Sequence, residues 1–558
     1  MPRSRTAGRA SVAERRDERA LLRALADPGT YQGRPRVVVH ETHASWVFVA
    51  GDRAYKVKKP VALGFLDYST LARRRRACHE EVRVNRYLAP GLYLGVRAIV
   101  KSGAGFQLAP DRAPGAVEYA VEMQSFREQD TFAGLIAEGS LTRAQVAAVA
   151  GLLADFHRSA AVVSDWGPDR VLAAWRRNVG EIPRLGPSAG WRLDIAAAFG
   201  EAFVKAHALE LRRRALLGLI RDGHGDLRCE HVLARPEIRV VDRIEFDPEL
   251  RRTDVACDLA FLAMDLEAQG QPWAARELFD AYRHAGMSTG GEALRSFYAA
   301  HWALVRAKVA LIAAAEHAGE TAAAEHLKQA QQLWSLGERL CWRARAPLAL
   351  VICGPAGSGK SVLAAELSRR SEMPVVSSDV VRKRLAHLAP VQAARAEHYT
   401  ARFTRATYEQ LARDALLELR RGDRVIVDAT CRSRDDRALL LDRLHRVGMV
   451  RLIVRCEVSL ELVIERSERR LHDPQRVSDA TPPLAEEQFR EFEELDELPG
   501  REVLRLDCAQ TLDAQVAAVM AAVDRCRLGH GAHGDGAVSA LPQGNPAVNT
   551  EDELPRVG

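Results

Sequence analysis

The sequence predicts an α+β unit followed by an α/β unit, and three observations carry that reading. From residue 347 to about 528, apolar runs at 348–353, 374–378, 424–428, 451–456 and 503–507 alternate with helical patterns, as a parallel sheet with right-handed crossovers requires. Before that, strand-like runs cluster near the start, and helical periodicity dominates from 141 to 220 and from 254 to about 343. Near the start of the later region, Gly354, Pro355, Ala356, Gly357, Ser358, Gly359, Lys360 and Ser361 form a complete G-x-x-x-x-G-K-[ST] loop, with an apolar run before it and a helical pattern after it.

That loop is a phosphate cradle. Its glycines let successive backbone N–H groups turn inward on an anion, and the following helix adds its positive end. Lys360 can reach the β/γ-phosphates, and Ser361 can hold Mg²⁺. The chain is therefore expected to bind a nucleoside triphosphate, with ATP and Mg²⁺ as its cofactors.

Composition sets the outer limits. The 558 residues suffice for three or four units of ~150 residues, or for two large domains with subdivided lobes. With 47% hydrophobic and 28% charged residues, and no run near the ~18 apolar residues that span a bilayer, an ordinary globular, cytoplasmic protein without a membrane partner is expected. The net charge of +6 is too even to hold nucleic acid by overall charge alone. Nine cysteines without a C-x-x-C pair point to reduced, buried thiols rather than disulfides or a structural metal. Three of only nine lysines stand at 56, 58 and 59 and another at 360, where a compact mobile cation suits a phosphate.

In chain order, the arginine-rich residues 1–20 are expected to form a flexible basic arm. Residues 21–343 form the first domain, with a small lobe to about 122. Its strands are expected at 37–39, 46–49, 54–58 and 117–123, the second and third joined by an Ala-Gly-Asp-Arg turn. A helix over about 69–89 places Cys78, Glu81, Asn85 and Leu88 on one face, so Glu81 points toward the body of the protein. Short strands return at 231–233 and 238–241. A brief linker near 343–347 leads into the second domain, 346–528, and 529–558 is expected to be a disordered tail.

Two constellations carry chemistry. His224-Gly225-Asp226-Leu227 lies between a helix and a strand, and Asp242 follows a short strand some fifteen residues on. Two acids so placed suit phosphoryl transfer, one aligning a hydroxyl and the other holding Mg²⁺. With the strand lysine and the inward Glu81, residues of about 36–340 resemble the aminoglycoside phosphotransferase/choline kinase family, relatives of protein kinases. The resemblance implies a bilobal kinase-like fold, with Lys56 on the α/β-phosphates, Glu81 as its helix partner, Asp226 as catalytic aspartate and Asp242 as metal ligand. Lys58, on the same strand face, is an alternative to Lys56. Asp258 in Asp254-Val-Ala-Cys-Asp258-Leu-Ala matches a residue that anchors the catalytic loop. The sequence departs from the family at His231, which stands where a metal-binding asparagine is expected. Mg²⁺ prefers oxygen, so the departure weakens this contact or leaves it to Glu230 or water.

In the second constellation, Val375-Val376-Ser377-Ser378-Asp379 ends a strand in an acid that faces the acceptor side of a bound triphosphate, as a base for a hydroxyl proton or as an N-cap. Arg424-Val-Ile-Val-Asp428 ends in a second acid that holds Mg²⁺. Arg469 and Arg470 close an arginine-dense helix and are expected to act as a lid over the transferring phosphoryl group, with Arg466 as readily part of a solvated face. This order resembles the small P-loop kinases over about 347–525, and the whole chain resembles bacterial fusions of an aminoglycoside phosphotransferase-like domain with an ATP-binding domain. The function expected is ATP-dependent transfer of a γ-phosphoryl to a hydroxyl of a small molecule. The alternatives are a nucleotide-gated sensor or scaffold, and a nucleic-acid 5′-hydroxyl kinase using Arg382, Lys383 and Arg384. Aminoglycosides are not the favoured acceptors, because no dense run of acids accompanies the site.

Overall fold

The computed structural model describes residues 12–31, 36–63, 66–103, 105–185, 191–389, 391–444, 449–471, 479 and 481–531. The first domain opens with a six-stranded antiparallel sheet. Its order is Val37–Glu41, Ser45–Ala50, Arg53–Lys58, Ala116–Gln124, Tyr93–Ser102 and Gly105–Pro110. The two strands over 93–110 are additions to the sequence reading; a register shift between Tyr93 and Gly95 breaks the alternation that would have marked the first of them. The helix Val12–Ala26 takes up residues 12–20 of the expected flexible arm and packs Leu21, Leu22 and Leu25 under this sheet, while residues 1–11 and 532–558 lie outside the described residues.

The helix Leu71–Asn85, N-capped by the Thr70 side chain, crosses the inner face of the sheet. Cys78, Glu81, Asn85 and Leu88 are all fully buried, as their spacing predicts. Helices then build the large lobe around Trp175, Phe199, Phe203 and Phe297, with Phe203 and Phe297 stacked at 4.2 Å between ring centres. Its central helix, Glu292–Glu316, corrects the expectation that nothing here could cross a bilayer: by length and a mean hydropathy of 1.2 it qualifies. Just over half of that window is buried inside the protein, where the helix packs on Val255–Ala268 and Thr321–Ala344, so its apolarity is that of a core helix.

The second domain is a five-stranded parallel sheet in the order Val375–Ser377, Arg424–Asp428, Leu348–Cys353, Val450–Glu457, Val503–Asp507. The central strand 348–353 is buried at every residue, which is why it reads as an uninterrupted apolar run. Helices cover both faces, and the phosphate loop leaves the carboxyl end of the central strand, where open parallel sheets bind ligands. All nine cysteines are buried, and none is joined in a disulfide among the described residues.

The two domains meet across a packed joint. The last helix, Leu512–Gly531, lies against Leu193–Ala206 of the large lobe, and Ile195 and Trp342 pack into the core of the second domain. Arg345, 1% exposed, forms two hydrogen bonds with Asp524 at 2.8 and 2.7 Å and stacks over Phe199.

Candidate active sites

The phosphate loop has the backbone that its glycines were expected to supply. Gly354, Gly357 and Gly359 adopt φ of 142°, 82° and 100°. A Cβ on Gly357 would stand 2.7 Å from the Val463 carbonyl oxygen and 2.8 Å from Ser467 Oγ. Lys360 lies back across the loop, donating to the Pro355 carbonyl at 2.8 Å, and Ser361 Oγ donates to Asp428 Oδ2 at 2.7 Å. The buried Ser358 hydroxyl has no hydrogen-bond partner among the described residues. A cradle that a side chain would fill, an orphaned hydroxyl and two adjoining hard oxygen ligands together fit Mg·ATP. Gly357→Ala is expected to weaken ATP binding at least about tenfold, because left-handed backbone costs an L-residue roughly 1–2 kcal/mol before any clash. Calorimetric titration with Mg·ATP measures the loss.

The lid is made differently from the sequence reading. Arg466 reaches the loop: its guanidinium donates to the Cys508 carbonyl at 3.0 Å and the Ser358 carbonyl at 3.5 Å. Arg469 faces solvent, 76% exposed, 3.6 Å from Glu465, and so is not positioned over the loop. The Arg470 side chain lies outside the described residues. Gln488, from the helix Pro482–Arg490, accepts from the Ala356 N–H at 3.0 Å and adds a contact that the sequence did not reveal. Asp379 is half-buried in the first turn of the helix Ser378–Leu385, whose N-cap is Ser377 rather than Asp379. The basic trio after it is engaged internally. Arg382 donates to the His398 carbonyl at 2.6 Å and lies over Tyr399, the buried Lys383 pairs with Asp479 at 3.1 Å, and Arg384 pairs with Asp414. These contacts occupy the charges on which a nucleic-acid reading rested.

In the first domain the structure brings the expected residues together. Lys56 Nζ lies 2.9 Å from Glu81 and 2.5 Å from Asp242. Lys58 lies 2.5 Å from the other Glu81 oxygen and pairs with Glu245, which also accepts from Tyr68 Oη at 2.7 Å. Lys58 is 2% exposed and closes a buried pair with Glu245, so Lys56 is the lysine that reaches Asp242. Burial pulls both ammonium groups down, but the surrounding carboxylates outweigh it and hold them well above the usual lysine range. Asp242, at φ 62°, occupies a conformation that an L-residue holds only under constraint; Lys56 and His231 overcome burial and keep its carboxyl low.

The catalytic loop hangs on Asp258, which is fully buried. Its carboxylate accepts from the His224 N–H at 2.7 Å, the Gly225 N–H at 2.9 Å and His157 Nε2 at 2.9 Å. Gly225, at φ 87°, makes the turn that presents Asp226. Burial would raise the Asp258 carboxyl, but these bonds hold it at about 2. His224 is buried and its Nε2–H donates to the Val241 carbonyl, 2.9 Å away, and burial lowers its pKa to about 4. The two shifts give a signed prediction. A histidine whose folded pKa is depressed stabilises fully above about pH 6.5, and that contribution is lost as the pH falls toward 4; for His224 it amounts to about 3 kcal/mol. The Asp258 contribution is present above about pH 4 and lost toward pH 2. Urea midpoints between pH 7.5 and 4.5 are expected to fall, and a His224→Gln variant to fall less steeply over that window.

Two details at the loop escaped the sequence. Arg228 clamps Asp226 with two hydrogen bonds at 3.0 and 3.1 Å, and with His231 it overcomes burial to keep the Asp226 carboxyl low. His231 stands where the family pattern puts a metal ligand, 3.9 Å from Asp242 Oδ2. Its Nδ1 contacts the Asp226 carbonyl at 2.8 Å, and Arg228 Nη2 lies 3.3 Å from its Nε2. With Nδ1 against the Asp226 carbonyl and Nε2 facing the Arg228 guanidinium, both ring nitrogens are engaged within the protein, and Mg²⁺ prefers oxygen, so of the two residues Asp242 is the one that fits it.

An AAA domain family matches residues 350–495. Uncharacterized proteins of Mycobacterium tuberculosis and Mycobacterium bovis are each 32% identical over 409 residues, covering 71% of this chain and 78% of the relative. Among solved structures, a choline/ethanolamine kinase family protein from Mesorhizobium loti covers 58% of this chain and 98% of its own, at 14% identity and a TM-score of 0.34. A gluconokinase from Sinorhizobium meliloti covers 32% and 94%, at 20% identity and a TM-score of 0.24. The mycobacterial proteins show the relationship: this chain belongs to their family, and it carries an AAA domain over residues 350–495.

Proposed function

We propose that the protein is an Mg·ATP-dependent phosphotransferase that moves the γ-phosphoryl group to a hydroxyl of a small molecule. The observation that carries the reading is the Ser361–Asp428 contact at 2.7 Å beside Lys360, two hard oxygen ligands at the mouth of a glycine cradle. Bound Mg·ATP supplies the phosphoryl group and neutralises its charge. Ser361 and Asp428 would hold the metal, and Lys360 would leave the Pro355 carbonyl for the phosphates. Arg466 steadies the loop from above, and Asp379 would receive the hydroxyl proton in this half.

A second reading, that the first domain also transfers phosphate, is favoured by the convergence of Lys56, Glu81, Asp242 and Asp226 from four separate segments. The test is ATP consumption by full-length Lys360→Ala and Asp226→Ala variants, with a metabolite extract as the source of acceptors. Loss in the first assigns the P-loop half, and loss in the second assigns the kinase-like half. Turnover that ignores acceptors in both would favour a nucleotide-gated switch.

A further inference from the structure

Next to Arg228, the partner of Asp226, lies a cavity of about 590 Å³ whose lining includes neither Lys56 nor Asp242 and no residue of the phosphate loop. Arg228 and Glu230 of the catalytic loop form one side of it. Asp265 and Glu267 stand at the end of the helix Val255–Ala268, Arg306 comes from Glu292–Glu316, and Arg339 comes from Thr321–Ala344. Most of these charges are answered within the protein. Arg228 pairs with Asp226 and Glu230, Glu267 with Arg343 at 2.8 Å, and Arg339 with Glu372 at 3.1 Å. Asp265 accepts from the Cys229 N–H at 2.8 Å and from the Gln269 amide at 3.2 Å.

Arg306 is the exception. It is half-buried, and it makes no hydrogen bond or ion pair among the described residues. Burial and the neighbouring Arg228 both press its pKa down, against the opposing pull of Asp226, Asp265 and Glu230. A guanidinium so placed presents its planar fork to the cavity and gains most from a carboxylate or phosphate. The rim adds Gln329, Gln332 and Ser335, amide and hydroxyl groups suited to hydroxyls, and no aromatic ring lines the space, so nothing here would stack a nucleobase.

We propose that this cavity takes an anionic polyol, a sugar bearing a carboxylate or a phosphate ester, with its acid group on Arg306 and a hydroxyl toward Asp226. The proposal rests on the reading of the first domain as a phosphotransferase. In the reaction the hydroxyl proton passes to Asp226 and the hydroxyl oxygen bonds to the γ-phosphorus. The bond from that phosphorus to the β,γ-bridging oxygen breaks, and ADP leaves with the electron pair.

The test uses full-length protein carrying Lys360→Ala, which disables the other phosphate site, and titrates it calorimetrically with glucose, glucuronate and glucose 6-phosphate. At least one anion is expected to bind tenfold or more tightly than glucose. Arg306→Gln is expected to abolish that preference, and Arg306→Lys to keep most of it. Equal binding of the three sugars, failure of both anions to bind, or a preference that survives Arg306→Gln overturns the proposal. Which anion is preferred distinguishes carboxylate from phosphate. ATP uptake by the same protein, and its loss in a further Lys56→Ala variant, is measured alongside. Anion binding without ATP uptake would remove the phosphotransferase reading while leaving the anion site standing.

Discussion

Lys360→Ala is expected to lower ATP consumption by the P-loop half about 10²–10³-fold, the scale for deleting one preorganised charge from a phosphoryl-transfer site. The loss should fall on turnover and nucleotide affinity together, because the ammonium faces the phosphates in both ground and transition states. Stability should barely change. Lys360 donates to a single carbonyl, that of Pro355, so its removal leaves one acceptor at the loop for water to satisfy. Initial rates and a thermal melt of the same preparation check both statements. A variant that keeps wild-type consumption while Asp226→Ala abolishes it would move the chemistry to the kinase-like half.

The second large effect is structural. Asp258→Ala removes the common acceptor of the His224 and Gly225 N–H groups and of His157, all in a fully buried setting. Three stranded partners should cost about 3–5 kcal/mol, the range for breaking a buried charged contact from one side. Hydrogen exchange should show the segment around residues 223–231 opening well before the parallel sheet of the second domain. Asp258→Asn, which keeps one acceptor oxygen, should lie between. Equal protection of that segment in wild type and Asp258→Ala would refute the anchoring role.

The middle of the second domain's sheet was legible because its inner strands are buried on both faces. The runs at 348–353 and 424–428 coincide with observed strands, since a buried parallel strand has no polar alternation to confuse it, and the run at 503–507 coincides with a strand that is only partly buried. The antiparallel strands at 93–110 carry polar residues on a half-exposed face and a register shift, and they went unread. At the first domain's site, Lys56, Glu81, Asp226 and Asp242 could be singled out because they match, in order, the pattern of the family that the sequence resembles. The Lys58–Glu245 pair, 187 residues apart, was not part of that match. Its one visible trace was a second lysine on the same strand face and an acid three residues after Asp242. Of the two arginines expected to form a lid, Arg469 was misplaced through helical phase. Val463 and Ser467 face the loop, so a turn of 100° per residue brings Arg466 to the same side and carries Arg469 outward.

The joint around Arg345 has a practical corollary for anyone dissecting this protein. Cutting the chain near residue 346 would leave Asp524 without its guanidinium, strip Ile195 and Trp342 of their apolar neighbours, and lay open one side of the terminal helix. Neither fragment would be a faithful surrogate for its half. The family's two modules are spliced rather than strung together, and their separate contributions are to be read from point variants in the intact polypeptide.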